Sequence, residues 1–255
     1  MIYIKNSTEI EKMYKSGQIV ARMHEELRNI IKPGIKTSEI NQFCENFIRE
    51  QGAIPSQIGY QGFPYATCTS VNDVICHGFP SDEVLKEGDL ITVDTVVEYD
   101  GFMGDSAWSY SVGEISDNVK KLMETTKECL YLGIKEAVIG NRLGDIGAVI
   151  QEHAEKNGFS VVREFTGHGI GRTMHEDPMV PHYGKKGRGQ RLQEGMVITI
   201  EPMINIGDWK SKIDNDGWTA RTKDKSISCQ YEHTLAITKD GPRILTLQKG
   251  EEPFI

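Results

Sequence analysis

The sequence predicts an α/β fold in which two related halves form one domain, with a site between them. Three observations predict it. The segment Glu87-Gly88-Asp89-Leu90-Ile91-Thr92-Val93-Asp94 recurs 107 positions later as Glu194-Gly195-Met196-Val197-Ile198-Thr199-Ile200-Glu201. Each copy is an acidic residue and a turn-forming Gly, then an apolar run rich in β-branched residues, which reads as a buried strand. Each run ends in a carboxylate, and helices with matching stop glycines precede both copies at a nearly constant offset.

The elements follow in order. Thr8 with Glu11 makes a capping box, and apolar residues at Ile10, Met13, Val20, Leu27 and Ile31 give a helical period broken at Pro33-Gly34. A second helix starts near Ser38, turns Ile40, Phe43 and Phe47 inward and stops at Gly52. The strand ending at Asp94 leads to a Tyr99-Asp100-Gly101 turn, a hairpin signal, and a second strand from Phe102 to about Val112. In the second half a helix runs from Asp117 through Leu122, Met123, Cys129 and Leu130 to near Gly140. Another runs from about Asp145 to Asn157-Gly158, and an apolar strand from Ser160 to Phe165 follows. Gly34 matches Gly140, Lys36 matches Arg142, Glu39-Ile40 matches Asp145-Ile146, and Gly52 matches Gly158. From Gly52 to Asp94 is 42 positions, and from Gly158 to Glu201 is 43. The halves, 1–113 and 114–255, join near Gly113 without a Ser- or Pro-rich linker, so one domain over 1–255 is expected.

Composition narrows the function classes. No stretch approaches the roughly 20 apolar residues that span a bilayer, and the N-terminus lacks the regions of a secretory signal, so no membrane partner and a cytoplasmic location are expected. Five cysteines, odd in number and without a C-x-x-C pair, argue against a disulfide framework or a zinc ribbon. A net charge of −8 gives no general attraction to nucleic acid, and no specific nucleic-acid site is read. The dense basic loop Lys185, Lys186, Arg188 and Arg191 reads as solvated surface.

An interior carboxylate is costly unless a cation compensates it. Asp94 and Glu201 end the paired strands, and Asp105 lies on the returning strand of the hairpin, where it can face Asp94. His168 sits in the Gly-rich turn Thr166-Gly167-His168-Gly169-Ile170-Gly171, which lacks the spacing of a dinucleotide fingerprint. Glu232 adjoins the apolar run Leu235-Ala236-Ile237. Four carboxylates and one imidazole carry too much negative charge for one zinc. They suit two divalent cations about 3.5–4 Å apart. His77 in Cys76-His77-Gly78-Phe79-Pro80, and His175 in Met174-His175-Glu176-Asp177-Pro178, look placed for proton handling. His24, His153 and His182 read as helix-face or surface residues, and His233 should point away from Glu232 on a strand.

This constellation resembles the type I methionine aminopeptidases over nearly the whole chain. The motifs are Gly59-Tyr60-Gln61-Gly62-Phe63-Pro64, Ser70-Val71-Asn72-Asp73-Val74-Ile75-Cys76-His77-Gly78, Asp94 with Asp105, Thr166-Gly167-His168-Gly169-Ile170-Gly171, Thr199-Ile200-Glu201-Pro202 and Tyr231-Glu232-His233-Thr234. The resemblance implies the pita-bread fold, two pseudo-symmetric halves of antiparallel sheet covered by helices around a dinuclear metal site. It implies that Asp94 and His168 each ligate one metal, that Asp105 and Glu232 bridge, and that Glu201 both ligates and shuttles protons. His77 and His175 would contact the substrate backbone, and Tyr60, Phe63, Cys68, Met174 and Trp218 would form a pocket for a Met side chain. Gln57, Phe63 and Met174 stand where the family often has Cys, Tyr and Phe, which leaves the pocket's shape open. A monovalent cation near Asn72, Val74 and Ser228 is implied as well.

The 33 positions from His168 to Glu201 leave no room for the helical insertion of type II enzymes, and the chain begins at the catalytic domain, so a bacterial-style enzyme is expected. Its expected activity is removal of N-terminal methionine before a small second residue, from Met peptides and nascent chains. A proline-specific aminopeptidase of the same fold and a non-catalytic interaction module are the alternatives. The ligand set accepts Mn, Fe, Co and Zn alike. The sequence leaves ribosome contact open, and a monomer is the family expectation.

Overall fold

Among the residues described, 1–252, the computed structural model holds four α-helices and fifteen strands. The last three residues of the expected domain lie outside the described residues. The first half contains α1 (Ser7–Ile30), α2 (Thr37–Glu50), β1 (Ile54–Pro55), β2 (Cys68–Val71), β3 (Val74–Cys76) and the hairpin of β4 (Leu90–Tyr99) with β5 (Phe102–Ser111). The second contains α3 (Asp117–Glu136), α4 (Leu143–Lys156), β6 (Ser160–Val161), β7 (Gly167–Gly169), β8 (Glu176–Val180), β9 (Val197–Ile200) and β10 (Met203–Asn205). It continues with β11 (Ser211–Ile213), β12 (Ala220–Thr222), β13 (Ser228–Gln230), β14 (His233–Thr238) and β15 (Gly241–Ile244).

The repeat is visible in local geometry. The amide of Lys36 donates to Glu39 Oε2 at 2.8 Å, opening α2, and that of Arg142 donates to Asp145 Oδ2 at 2.7 Å, opening α4. Gly34 and Gly140 precede these helices with φ of 97° and 96°, and Gly52 and Gly158 follow them with 71° and 87°. Only glycine takes such angles without strain, so the same residues stop the same elements in both halves. The short strands after α2 and α4 also correspond: β1 pairs antiparallel with β4, and β6 with β10.

All pairings between named strands are antiparallel. In one sheet β4 lies between β2 and β5, with β1 also on it, and in the largest the order is β15-β14-β9-β7-β8. Helix α1 lies on the β4–β5 hairpin, and the approach is backbone-close. A Cβ on Gly104 would sit 2.5 Å from the Gly17 nitrogen, and one on Gly17 would sit 2.5 Å from the Leu245 oxygen. Ser16 Oγ donates to the Phe102 carbonyl at 2.9 Å beside this contact. The main core continues through both halves, from Val20, Met23 and Leu27 to Ile134, Ile150 and Ile200, all with no more than 1% exposure. Among the described residues no helix is long and apolar enough to cross a membrane.

Several boundaries differ from expectation. Asn6, not Thr8, caps α1: its side chain accepts from the Glu9 amide at 3.0 Å, and Glu9 Oε2 accepts from the Asn6 amide at 3.1 Å. Glu11 is engaged elsewhere, by Arg243. Helix α3 ends at Glu136, short of Gly140, and the strand expected over 160–165 covers only Ser160–Val161. Asp94 is the fifth residue of the ten-residue β4 and not its end, whereas Glu201 does follow its strand directly.

His24, expected on a helix face or at the surface, lies on the inner face of α1 and is fully buried. Its Nε2 lies 3.1 Å from the Ser106 carbonyl and its Nδ1 2.7 Å from the Tyr110 hydroxyl, a pattern that suits the neutral ring with its proton on Nε2. Burial pulls its pKa from 6.5 to about 4. Below pH 6.5 the unfolded chain therefore takes up a proton that the folded chain refuses, so stability falls as pH drops from 6.5 toward 4 and levels off below. Urea melts across this window are expected to show a slope up to about 1.4 kcal/mol per pH unit shallower for His24→Gln than for wild type.

Candidate active site

Strand alternation decides which side chains meet. In the β4–β5 register Val96 faces Asp105 and Asp94 faces Ala107, so Asp94 and Asp105 are diagonal neighbours on one face of the hairpin. The second half is stitched to the same hairpin. Glu232 donates its amide to the Ala107 carbonyl at 2.8 Å, and Ser106 Oγ donates to the Glu232 carbonyl at 2.8 Å. Thr234 Oγ1 donates to the Asp105 carbonyl at 2.8 Å and accepts from the Asp105 amide at 3.2 Å. Ser109 Oγ donates to the Gln230 carbonyl at 2.8 Å. These bonds set Glu232 beside Asp105, and His233 next to it points the other way, with its Nδ1 2.8 Å from Thr246 Oγ1.

His168 arrives on β7. The Gly-rich segment was expected as a turn but forms a strand, and its glycines serve lateral packing. A Cβ on Gly167 would lie 2.5 Å from the Thr199 oxygen, and one on Gly169 would lie 2.2 Å from the Asp177 oxygen. His168 Nδ1 is 2.9 Å from the Gly169 carbonyl, which holds the proton there and leaves Nε2 as a free lone pair. That Nε2 is 3.6 Å from both Asp105 Oδ2 and Glu201 Oε1. Ligand atoms of Asp105, His168 and Glu232 lie within 4.8 Å of one another.

The electrostatics follow from crowding. Burial first, and the neighbouring charge of Asp105 second, push the Asp94 carboxyl well above its ordinary range. Burial raises Asp105 to about 7. Burial, then the charges of the neighbouring carboxylates, hold Glu201 and Glu232 high as well. His168 is pulled down to about 4, chiefly by burial, and so presents a neutral imidazole. Asp105 Oδ1, Glu232 Oε1 and Gln230 Oε1 are buried without a hydrogen-bond partner. Clustered carboxylates that repel one another, partnerless oxygens and a neutral imidazole nitrogen aimed among them are the donor set of hard-to-borderline divalent cations. The residues present fit such ions.

The cleft holds about 310 Å³, and every residue expected at the site lines it: the five ligand candidates, Tyr60, Phe63, Cys68, His77, Met174, His175 and Trp218. Phe63, Cys68 and Met174 are buried, and Trp218 meets Phe63 edge-on with ring centres 5.2 Å apart. His77 has a left-handed backbone, φ 56°, and packs edge-on to Phe165 and Trp218 at 5.5 and 6.0 Å. The Tyr60 hydroxyl is 2.7 Å from His175 Nδ1 and accepts from Gln61 Nε2 at 3.2 Å. With its amide nitrogen turned to the carbonyls of Asp94 at 3.2 Å and Ala66 at 2.9 Å, Gln57 lines the cleft and ties β4 to the segment before β2. Away from the cleft, the Ser228 amide donates to the Asn72 carbonyl at 2.9 Å, which brings together two of the residues expected near a monovalent cation, and Ser228 Oγ has no partner.

Three supporting residues went unread in the sequence. Thr199 Oγ1 donates to Glu201 Oε1 at 2.8 Å while accepting from the His168 amide at 3.0 Å, and Gln230 Nε2 donates to Glu201 Oε2 at 3.3 Å. Each precedes a site carboxylate by two, the strand period that places it on the same face. His182, expected at the surface, is fully buried and accepts from the Glu201 amide at 3.0 Å. Thr199→Val is expected to weaken divalent-metal binding by about 10–100-fold while leaving the circular dichroism spectrum unchanged, as read by calorimetric Mn or Co titration.

A model of metallopeptidase family M24 matches residues 11–239. Methionine aminopeptidase A of Synechocystis is 50% identical over 247 residues, covering 96% of this chain and 98% of that protein. Methionine aminopeptidase 1 of Bacillus subtilis is 50% identical over 246 residues, covering 96% of this chain and 99% of that protein. The crystal structure of methionine aminopeptidase from Rickettsia prowazekii superposes with a TM-score of 0.96 at 44% identity, covering 97% of this chain and all of that one. The architecture is the pita-bread fold expected from the sequence.

Proposed function

The chain belongs to metallopeptidase family M24, and we propose that the five-ligand cleft is where it removes N-terminal methionine. It is a metal-dependent aminopeptidase of the methionine-removing kind, as its relatives at 50% identity over nearly the full chain support. The proline-specific and non-catalytic alternatives are not favoured. The observation that carries the reading is the meeting of Asp94, Asp105, His168, Glu201 and Glu232 beside a pocket of Phe63, Cys68, Met174 and Trp218.

In this reading those five residues hold two divalent ions, drawn from Mn, Fe, Co or Zn. Bound there, the ions supply Lewis acidity and an acidified water. The chain's own groups do the rest. Phe63, Trp218, Tyr60, Cys68 and Met174 form an aromatic and sulfur-lined recess that suits a flexible thioether. Gln61 donates to the Tyr60 hydroxyl, which turns the hydroxyl proton toward His175 Nδ1. His175 then carries its own proton on Nε2 and offers it to the carbonyl oxygen of the first residue, where negative charge develops. His77, held neutral by burial, steadies the substrate backbone. Glu201, aligned by Thr199 and Gln230, takes the proton that the attacking water gives up and passes it to the leaving amine. Recognition of the free α-amine makes the action that of an aminopeptidase, and preference for a small second residue belongs to the same proposal. So do nascent chains as substrate, a monomer, ribosome contact and a monovalent cation near Asn72, Val74 and Ser228, which rest on the family resemblance, and a cytoplasmic location, which rests on the sequence composition.

The test is turnover of Met-Ala-Ser and Ala-Pro peptides with each divalent metal. Met-Ala-Ser is expected to be cleaved only with metal, and Ala-Pro is not. His175→Ala is expected to lower kcat by about 10²–10³-fold with metal content unchanged, whereas Asp94→Ala and His168→Ala lose metal as well. Cleavage of Ala-Pro in preference, or full activity in chelator, would refute the assignment.

A further inference from the structure

One buried ion pair beside the cleft has no part in the chemistry described above. Lys5 and Glu176 pair through their side-chain ends, with exposures of only 6% and 5%. A pair removed from water this far is held together only where further bonds complete it. Here they do. Glu176 Oε1 accepts from the amides of Arg172 at 3.1 Å and Thr173 at 3.4 Å, and Lys5 Nζ also donates to the Tyr3 carbonyl at 3.0 Å. The Lys5 amide donates to the Gly195 carbonyl at 2.8 Å, on the segment that enters β9 and leads to Glu201.

Glu176 thus gathers the loop 171–175 onto itself, and that loop carries Met174 and His175 into the cleft. Space around the pair is closed. A Cβ on Gly171 would lie 2.6 Å from both Glu176 Oε1 and Lys5 Cε, so a larger residue there would have to push the ends of the pair aside. The far side of the loop is pinned too, since the Gly171 carbonyl accepts from the Met103 amide at 2.8 Å, two residues from Asp105. The chain's opening segment continues along the same strand, where Ile2 bridges Asp177 and the N-terminal ammonium contacts the Asp177 carboxylate.

We infer that Lys5 is a positioning residue for His175. Its ammonium neutralises Glu176, Glu176 holds the loop backbone, and the loop sets the His175 ring at hydrogen-bond distance from Tyr60 and the substrate carbonyl. The inference rests on the proposed role of His175 as donor to that carbonyl. A displacement of about 1 Å at such a donor costs on the order of 10²-fold in rate.

The test is a double-mutant cycle on the metal-loaded enzyme with Met-Ala-Ser as substrate. Lys5→Met is expected to lower kcat by about 10–100-fold with KM within about threefold, and Lys5→Arg to restore most of the loss. In a His175→Ala background Lys5→Met is expected to have no further effect on kcat. A Lys5→Met loss that persists in that background, or a wild-type kcat for Lys5→Met, overturns the inference while leaving the aminopeptidase reading in place. A wild-type kcat for His175→Ala overturns the role of His175 and the inference with it. Should Lys5→Met fail to accumulate as folded protein, Glu176→Gln, which keeps the shape and removes the charge, enters the same cycle with the same criteria.

Discussion

Four carboxylates facing one another in a closed cleft are the constraint on which the rest of the structure depends. Asp94, Asp105, Glu201 and Glu232 are each pushed toward the protonated form by burial, and Asp94, Glu201 and Glu232 by the neighbouring charge of Asp105 as well. Left to themselves such groups would open the protein or take up protons. A compensating cation would let them stay ionised and close, and a neutral imidazole such as His168 would add a ligand without adding charge. In the proposed reading, metal affinity and catalytic geometry are therefore one requirement, met by one arrangement.

That arrangement depends on the join between the halves. Asp94 and Asp105 come from one hairpin, while His168, Glu201 and Glu232 come from the five-stranded sheet or its flanks. The two groups are held in register by hydroxyl bridges, Ser106 to Glu232, Ser109 to Gln230 and Thr234 to Asp105. Serine and threonine suit this place because a short hydroxyl satisfies a carbonyl where two sheets meet without a shared ladder. Behind Glu201, Thr199 and Gln230 donate to the two carboxylate oxygens and fix their orientation, while His182 accepts from the Glu201 amide and holds the backbone.

Much of this was legible in the chain. The duplicated strand motif and its stop glycines are local signals, because a left-handed glycine and a β-branched run each act within a few residues, and the structure repeats them at Gly34 and Gly140, and at Gly52 and Gly158. The Asp100-Gly101 turn likewise led to the hairpin that pairs Asp94 with Asp105. What escaped was set by distant partners. His24 and His182 read as helix-face or surface residues because nothing beside them in sequence shows the Ser106 carbonyl or the Glu201 amide that they meet. The glycines around His168 read as a turn because their actual role, letting β8 and β9 close on β7, is a lateral one. Asn6 caps α1 in place of Thr8 because Asn6 and Glu9 offer the same reciprocal pattern two positions earlier, while Glu11 pairs with Arg243 from across the molecule.

The account is tested most directly by anomalous diffraction from crystals grown with Mn or Co. It predicts two peaks about 3.5–4 Å apart, enclosed by Asp94, Asp105, His168, Glu201 and Glu232. A cleft without ions at saturating metal, its carboxylates paired through protons instead, would contradict it.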